Sequence, residues 1–160
     1  MSLRQGKHLV AHGKENLCYI RGGQMIFNHN AYLDYELPDN WCADEDADNL
    51  ILYDPNGYGA ITISFFNVLD TASSLEDKMG ELAKRFVSQN NIYIHGQFIR
   101  SHKGHNRILC GSGTSSDGWF IKLWIVAKFP KIVFATYHSE QKKEELKTCD
   151  AIIDSFRFVF

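Results

Sequence analysis

Three histidines and a cysteine fall within one stretch, "IHGQFIRSHKGHNRILC", as His95, His102, His105 and Cys110. Imidazole nitrogens and a thiolate are ligands that zinc takes, and a cysteine beside a histidine is the pair a thiol-dependent enzyme needs. Both chemistries require the side chains to converge. Residues of β type flank the stretch, and a tight turn at Lys103 and Gly104 sets Arg100 opposite Arg107, Gln97 opposite Cys110 and His102 opposite His105. Opposed residues share a face of the sheet, so His102 and His105 lie with Phe98 and Leu109, while His95 and Cys110 lie on the other face. A structural zinc takes four protein ligands and a catalytic zinc three. The split set therefore predicts neither metal nor cofactor, with His102 and His105 the residual metal candidates and no catalytic residue assigned. A one-residue bulge would carry Cys110 to the histidine side and revive the metal or thiol reading.

Other groups are weighed the same way. The run "CADEDADN" offers Asp44, Glu45, Asp46 and Asp48 but lacks the glycine and distal glutamate of a calcium loop. It reads as a solvated hairpin tip able to face a basic partner. Trp124 and Tyr137, roughly opposed on neighbouring strands with Lys122 and Lys128 on the same face, offer either a ligand platform or core beneath a helix. "PNGYGA" and "GSGTSSDG" read as turns, since neither carries the lysine or the strand-to-helix step of a phosphate loop. Cys149 sits at apolar helical spacing, a packing position. The partner-binding candidates are thus Asp44, Glu45, Asp46, Trp124 and Tyr137.

The elements that would position these groups follow from periodicity. Leu33, Tyr35 and Leu37 alternate with polar positions up to Pro38, and "LILY" and "AITISFF" flank the turn "DPNGYG". "TASSLEDKMGELAKRFVSQNN" is a helix, with a capping box at Ser73 and Glu76 and one apolar face of Leu75, Met79, Leu82 and Phe86. "WFIKLWIVAKF" is apolar on both faces, the mark of a strand covered on both sides. A second helix is expected over "SEQKKEELKTCDAIIDSF", N-capped by Ser139 and burying Leu146, Cys149, Ile153 and Phe156. "FRFVF" closes the chain as a candidate edge strand. Short turns between successive strands predict an α+β fold, an antiparallel β-sheet flanked by two α-helices in an α/β/α sandwich.

A chain of 160 residues is long enough for one domain with its own core. Residues 1–24 read as an arm or tag-like extension and 25–160 as the domain, although Gly22 and Gly23 would also suit a hairpin turn. A formal charge of −2 gives no reason to expect a nucleic-acid partner. No apolar run is long enough to span a bilayer, so no membrane partner is expected. Four dispersed cysteines without a CxxC pair, and no secretory apolar core, point to reduced thiols and a cytoplasmic setting.

From about Met25 to Phe160 the chain resembles the PsbP-like sandwich fold, and within it an uncharacterised bacterial domain family. The resemblance is carried by "LPDNW" at 37–41, "LILYDPNGYGAITIS" at 50–64, "FATY" at 134–137 and "IIDSFRF" at 152–158. It implies a docking role, because relatives of that fold include extrinsic photosystem subunits and a Ran-binding nuclear protein. The expected function is therefore a non-enzymatic binding or accessory domain, contacting an unidentified protein or dimerising through an edge strand. The alternatives are a metal-binding or thiol-dependent enzyme using His95, Cys110, His102 and His105, and a bacterial immunity-type protein.

Overall fold

The computed structural model describes residues 7–11, 14–21, 24–69, 74–140 and 145–160. In chain order the first strands are β1 (Lys7–Ala11), β2 (Lys14–Arg21), β3 (Gln24–His29), β4 (Leu33–Glu36), β5 (Cys42–Asp46), β6 (Asn49–Tyr53) and β7 (Gly59–Asn67). Helix α1 (Leu75–Gln89) precedes β8 (Tyr93–Ile94), β9 (Ile99–Lys103), β10 (Asn106–Thr114), β11 (Phe120–Lys128) and β12 (Lys131–Ser139). Helix α2 (Glu145–Asp154) and β13 (Arg157–Phe158) complete the order.

The fold is α+β and antiparallel, as expected, but its strands form two sheets where one was expected. The smaller runs β1-β2-β3-β4-β13, and the larger runs β5-β6-β7-β12-β11-β10-β8, with β9 also on β10. Residues Lys7–Ala11 and Lys14–Arg21, read from the sequence as part of an arm, pair as strands of the smaller sheet. Arg21 stands opposite Gln24, the spacing a two-residue hairpin connection requires. Gly22 and Gly23 themselves lie outside the described residues.

Each face of the large sheet has its own core because β11 is apolar on both sides. Leu123, Ile125 and Ala127 join Leu109, Ile132 and Phe134 against Met79 and Ala83 of α1. On the other side, Trp124 and Val126 join Ala135 and Tyr137 against Cys149, Ile152 and Ile153 of α2. That second core continues through Leu50, Leu52, Ile61 and Ile63 to Leu33, Tyr35 and Phe158 of the smaller sheet. The two helices thus lie against opposite faces of β11 and β12.

Two caps differ from expectation. Ser74 is the N-cap of α1, its hydroxyl accepting the Asp77 N–H at 3.1 Å, and Ser73 lies outside the described residues. Glu76 is thereby released from the capping role. It holds Arg100 and Arg107 of β9 and β10, each at 2.6 Å, and these guanidiniums, Arg107 foremost, keep its carboxyl below the usual range. Ser139 does not cap α2. It is the buried last residue of β12, and its hydroxyl donates to the Tyr58 carbonyl.

Candidate docking surface

The histidine hairpin keeps the expected faces by a different register. Tyr93 opposes Thr114 and Ile94 opposes Gly113, as the expected pairing requires. A bend at Gly96, with φ +74, then inserts two residues, so that Ile99, and not Gln97, opposes Cys110. The turn moves to Gly104 and His105, with Lys103 opposite Asn106 and His102 opposite Arg107. Gly104 has φ +59, which fits the first central position of a type II′ turn.

An even shift preserves sidedness. His102 therefore shares the α1 face with Arg107 and Leu109, whereas Cys110 faces the α2 side. His95 bonds Thr114 Oγ1 through Nε2 at 2.8 Å, two residues along β10 from Ser112 and further from Cys110. His105 sits exposed in the turn, so the four residues do not converge. No group of three or more His, Cys, Asp or Glu side chains suited to a metal ion occurs among the described residues.

Burial raises the thiol pKa of Cys110, and that of Cys149 to about 12. Cys42 is exposed. Labelling with a thiol reagent at neutral pH is therefore expected to modify Cys42 readily, Cys110 slowly and Cys149 only after unfolding. Peptide mapping of the labelled chain reads this directly, and fast labelling of Cys110 would restore it as a nucleophile.

Three of the five partner-binding candidates are enclosed, a correction to their expected accessibility. Glu45 is buried beside His29, Oε1 to Nδ1 3.3 Å, because alternation along β5 turns Ala43 and Glu45 inward and Asp44 and Asp46 outward. Trp124 and Tyr137 lie under α2, and Trp124 opposes Ala135, with Lys122 opposite Tyr137. The Trp124 indole N–H donates to Asp150 Oδ1 at 3.0 Å, and Lys122 reaches the same oxygen at 2.9 Å. The Tyr137 hydroxyl donates to Glu145 at 2.9 Å, and burial raises its pKa. Glu145 also accepts the Tyr58 and Gly59 N–H groups at 3.2 Å. The platform is thus the polar seam that fastens α2 to the sheet.

The surface that stands out lies where β7 and β11 end and β12 begins. Phe66 (42 % exposed), Leu69 (95 %), Phe129 (53 %) and Phe160 (68 %) gather there. They are contiguous through the backbone: the Val68 N–H bonds the Pro130 carbonyl at 2.7 Å, and Phe66 opposes Ile132. Lys128 and Lys131 place their ammonium groups over the Phe160 ring, at 4.9 and 5.0 Å. Between this end and α1 runs a groove of about 340 Å³, with Val68, Leu82 and Ile132 in its lining and Lys78, Arg85 and Glu81 beside them. The Tyr32 hydroxyl donates to the Phe66 carbonyl at 2.6 Å, and burial raises its pKa to about 12.

Sequence reasoning missed this surface because its members come from segments far apart in the chain. Only the paired apolar residues beside Lys128 and Lys131 hinted at it. Exposed apolar residues also occur at the opposite strand ends, as Tyr58, Tyr93 and Trp119. Two of those rings lie against histidines, Tyr93 with His95 and Trp119 with His138.

No family model matches the chain, and no curated protein does. Solved structures do. A solution structure of cyanobacterial PsbP (CyanoP) from Synechocystis sp. PCC 6803 superposes with a TM-score of 0.60 at 9 % identity, covering 82 % of this chain and 89 % of that one. The fold is PsbP-like. A crystal structure of a protein from Bacteroides thetaiotaomicron VPI-5482 gives 0.56 at 16 % identity over 79 % of this chain, which spans 45 % of that protein's length. At these identities the likeness concerns fold alone.

Proposed function

We propose that this chain is a non-enzymatic binding domain built as an α/β/α sandwich of the PsbP type, docking through the end that carries Phe66, Leu69, Phe129 and Phe160. The observation that carries the reading is the meeting of these exposed apolar side chains at one end of the large sheet, with Lys78 and Arg85 lining the groove beside Phe66 and Leu69 and Lys128 over Phe160. Clustered exposed apolar area marks an interaction site, whereas scattered single residues do not.

A second reading rests on β5, an edge of the large sheet that presents the exposed Asp44 and Asp46. An edge strand bearing carboxylates suits a basic protein partner. By contrast, β13 as a pairing edge has little to offer, since it is two residues long and buries Phe158.

Affinity capture from native lysate separates the readings. Capture lost in Leu69→Asp/Phe129→Asp and kept in Asp44→Lys/Asp46→Lys supports the apolar end. The reverse pattern supports the β5 edge. Capture indifferent to both, or a stoichiometric metal in the purified protein, overturns the docking reading.

A further inference from the structure

We propose that the Phe129 end docks onto the surface of an anionic lipid bilayer, with Leu69, Phe129 and Phe160 entering the interface and Lys78, Arg85 and Lys128 meeting lipid phosphates. The inference rests on the docking reading above and names its partner.

The form of the surface favours a bilayer over a folded protein. Leu69 follows the end of β7, Phe129 sits in the β11–β12 connection beside Pro130, and Phe160 follows β13. Three apolar tips on three separate segments project outward. A protein partner must supply a matched, close-packed surface for such tips, whereas a bilayer interface yields around each one independently. Phe129 is carried on the connection between the paired strands β11 and β12, and the Tyr32 hydroxyl donates to the Phe66 carbonyl near the end of β7 that leads to Leu69.

Charge selects the kind of bilayer. Lys78 and Arg85 line the groove beside Leu69, Lys128 covers Phe160, and Glu81 is the carboxylate that shares the groove with the first two. None of these three cations forms an ion pair with another of the described residues. The whole chain carries a formal −2, so cations concentrated here orient the molecule with this end toward an anionic surface. Lys131 serves differently: its ammonium donates to the Val159 carbonyl and lies 4.4 Å from the Tyr32 ring centroid, which makes it part of the scaffold. Apolar tips and cations together meet the two-signal requirement for stable peripheral attachment.

No described helix is long and apolar enough to cross a membrane, and surface docking needs none.

The test is co-sedimentation of the full chain with vesicles of phosphatidylcholine alone or mixed with phosphatidylglycerol. The expected result is pelleting with the mixed vesicles, weakened by added salt. Each apolar-to-charged change in Leu69→Asp/Phe129→Asp is expected to lower partitioning about tenfold or more. Each reversal in Lys78→Glu/Lys128→Glu should lower it at least about fivefold. Leu69 and Phe129 are exposed and Lys78 and Lys128 half-buried, so circular dichroism melts of each variant are run beside the vesicle assay and should stay close to those of the unmodified chain. Failure of the unmodified chain to pellet at low salt, or equal pelleting of the variants, overturns the bilayer proposal. If vesicles fail while lysate capture still depends on Leu69 and Phe129, the bilayer is wrong and the docking end stands with a protein partner.

Discussion

Trp124→Ala is expected to lower the unfolding free energy by roughly 3–5 kcal/mol, the cost of truncating a large aromatic in a packed core. The indole is 2 % exposed and fills the space between β11 and α2. Its removal opens a cavity and also strips Asp150 of one of its two donors. Urea denaturation reads the loss as a lower midpoint with little change in slope. A change within about 0.5 kcal/mol, typical of surface substitutions, would return Trp124 to the surface as a ligand platform. Asp150 offers a control, because Asp150→Asn keeps an acceptor for the indole while weakening the link to Lys122.

The second large effect belongs to Glu45. Glu45→Ala is expected to cost roughly 1–3 kcal/mol, the cost of leaving a buried polar group without the partner it had. Its carboxylate lies 3.3 Å from His29 Nδ1, with both side chains almost wholly enclosed, and the imidazole is stacked on Phe65 at 4.6 Å. The pair links β5 of the large sheet to β3 of the small one. Glu45→Gln retains an acceptor in that position and should cost clearly less. Asp44→Ala, one residue away and exposed, should change stability by less than about 0.5 kcal/mol. Thermal or urea melts of the three variants give the comparison, and equal effects at 44 and 45 would remove Glu45 from the core.

These two residues show where reading from sequence stops. Trp124 and Tyr137 were legible as lying on one face of neighbouring strands, since alternation has period two. Which element covers that face was not legible, because α2 reaches it from a segment that local pattern does not place. In "ADED" the alternation was present all along: Ala43 and Glu45 share a side, as do Asp44 and Asp46. Composition, read as a uniform acidic run, hid it. The arrival of β3 places His29 beside the buried Glu45 side chain, a contact that offsets part of the cost of its burial.

Periodicity by itself determined the main strands, both helical segments and their apolar faces, the two-sided burial of β11 and the α+β class. Those are local properties, set by which side chains each segment must remove from water. It also kept His102 and Cys110 on opposite faces, because parity survives an even shift of register even though the turn moved to Gly104 and His105. Tertiary structure alone decided the second sheet, the meeting of Glu45 with His29, the seam between α2 and the large sheet, and the meeting of Leu69, Phe129 and Phe160 at one end of the large sheet. Each of these joins residues from distant segments, and their meeting depends on how the sheets stack and pair, which no single stretch of sequence encodes.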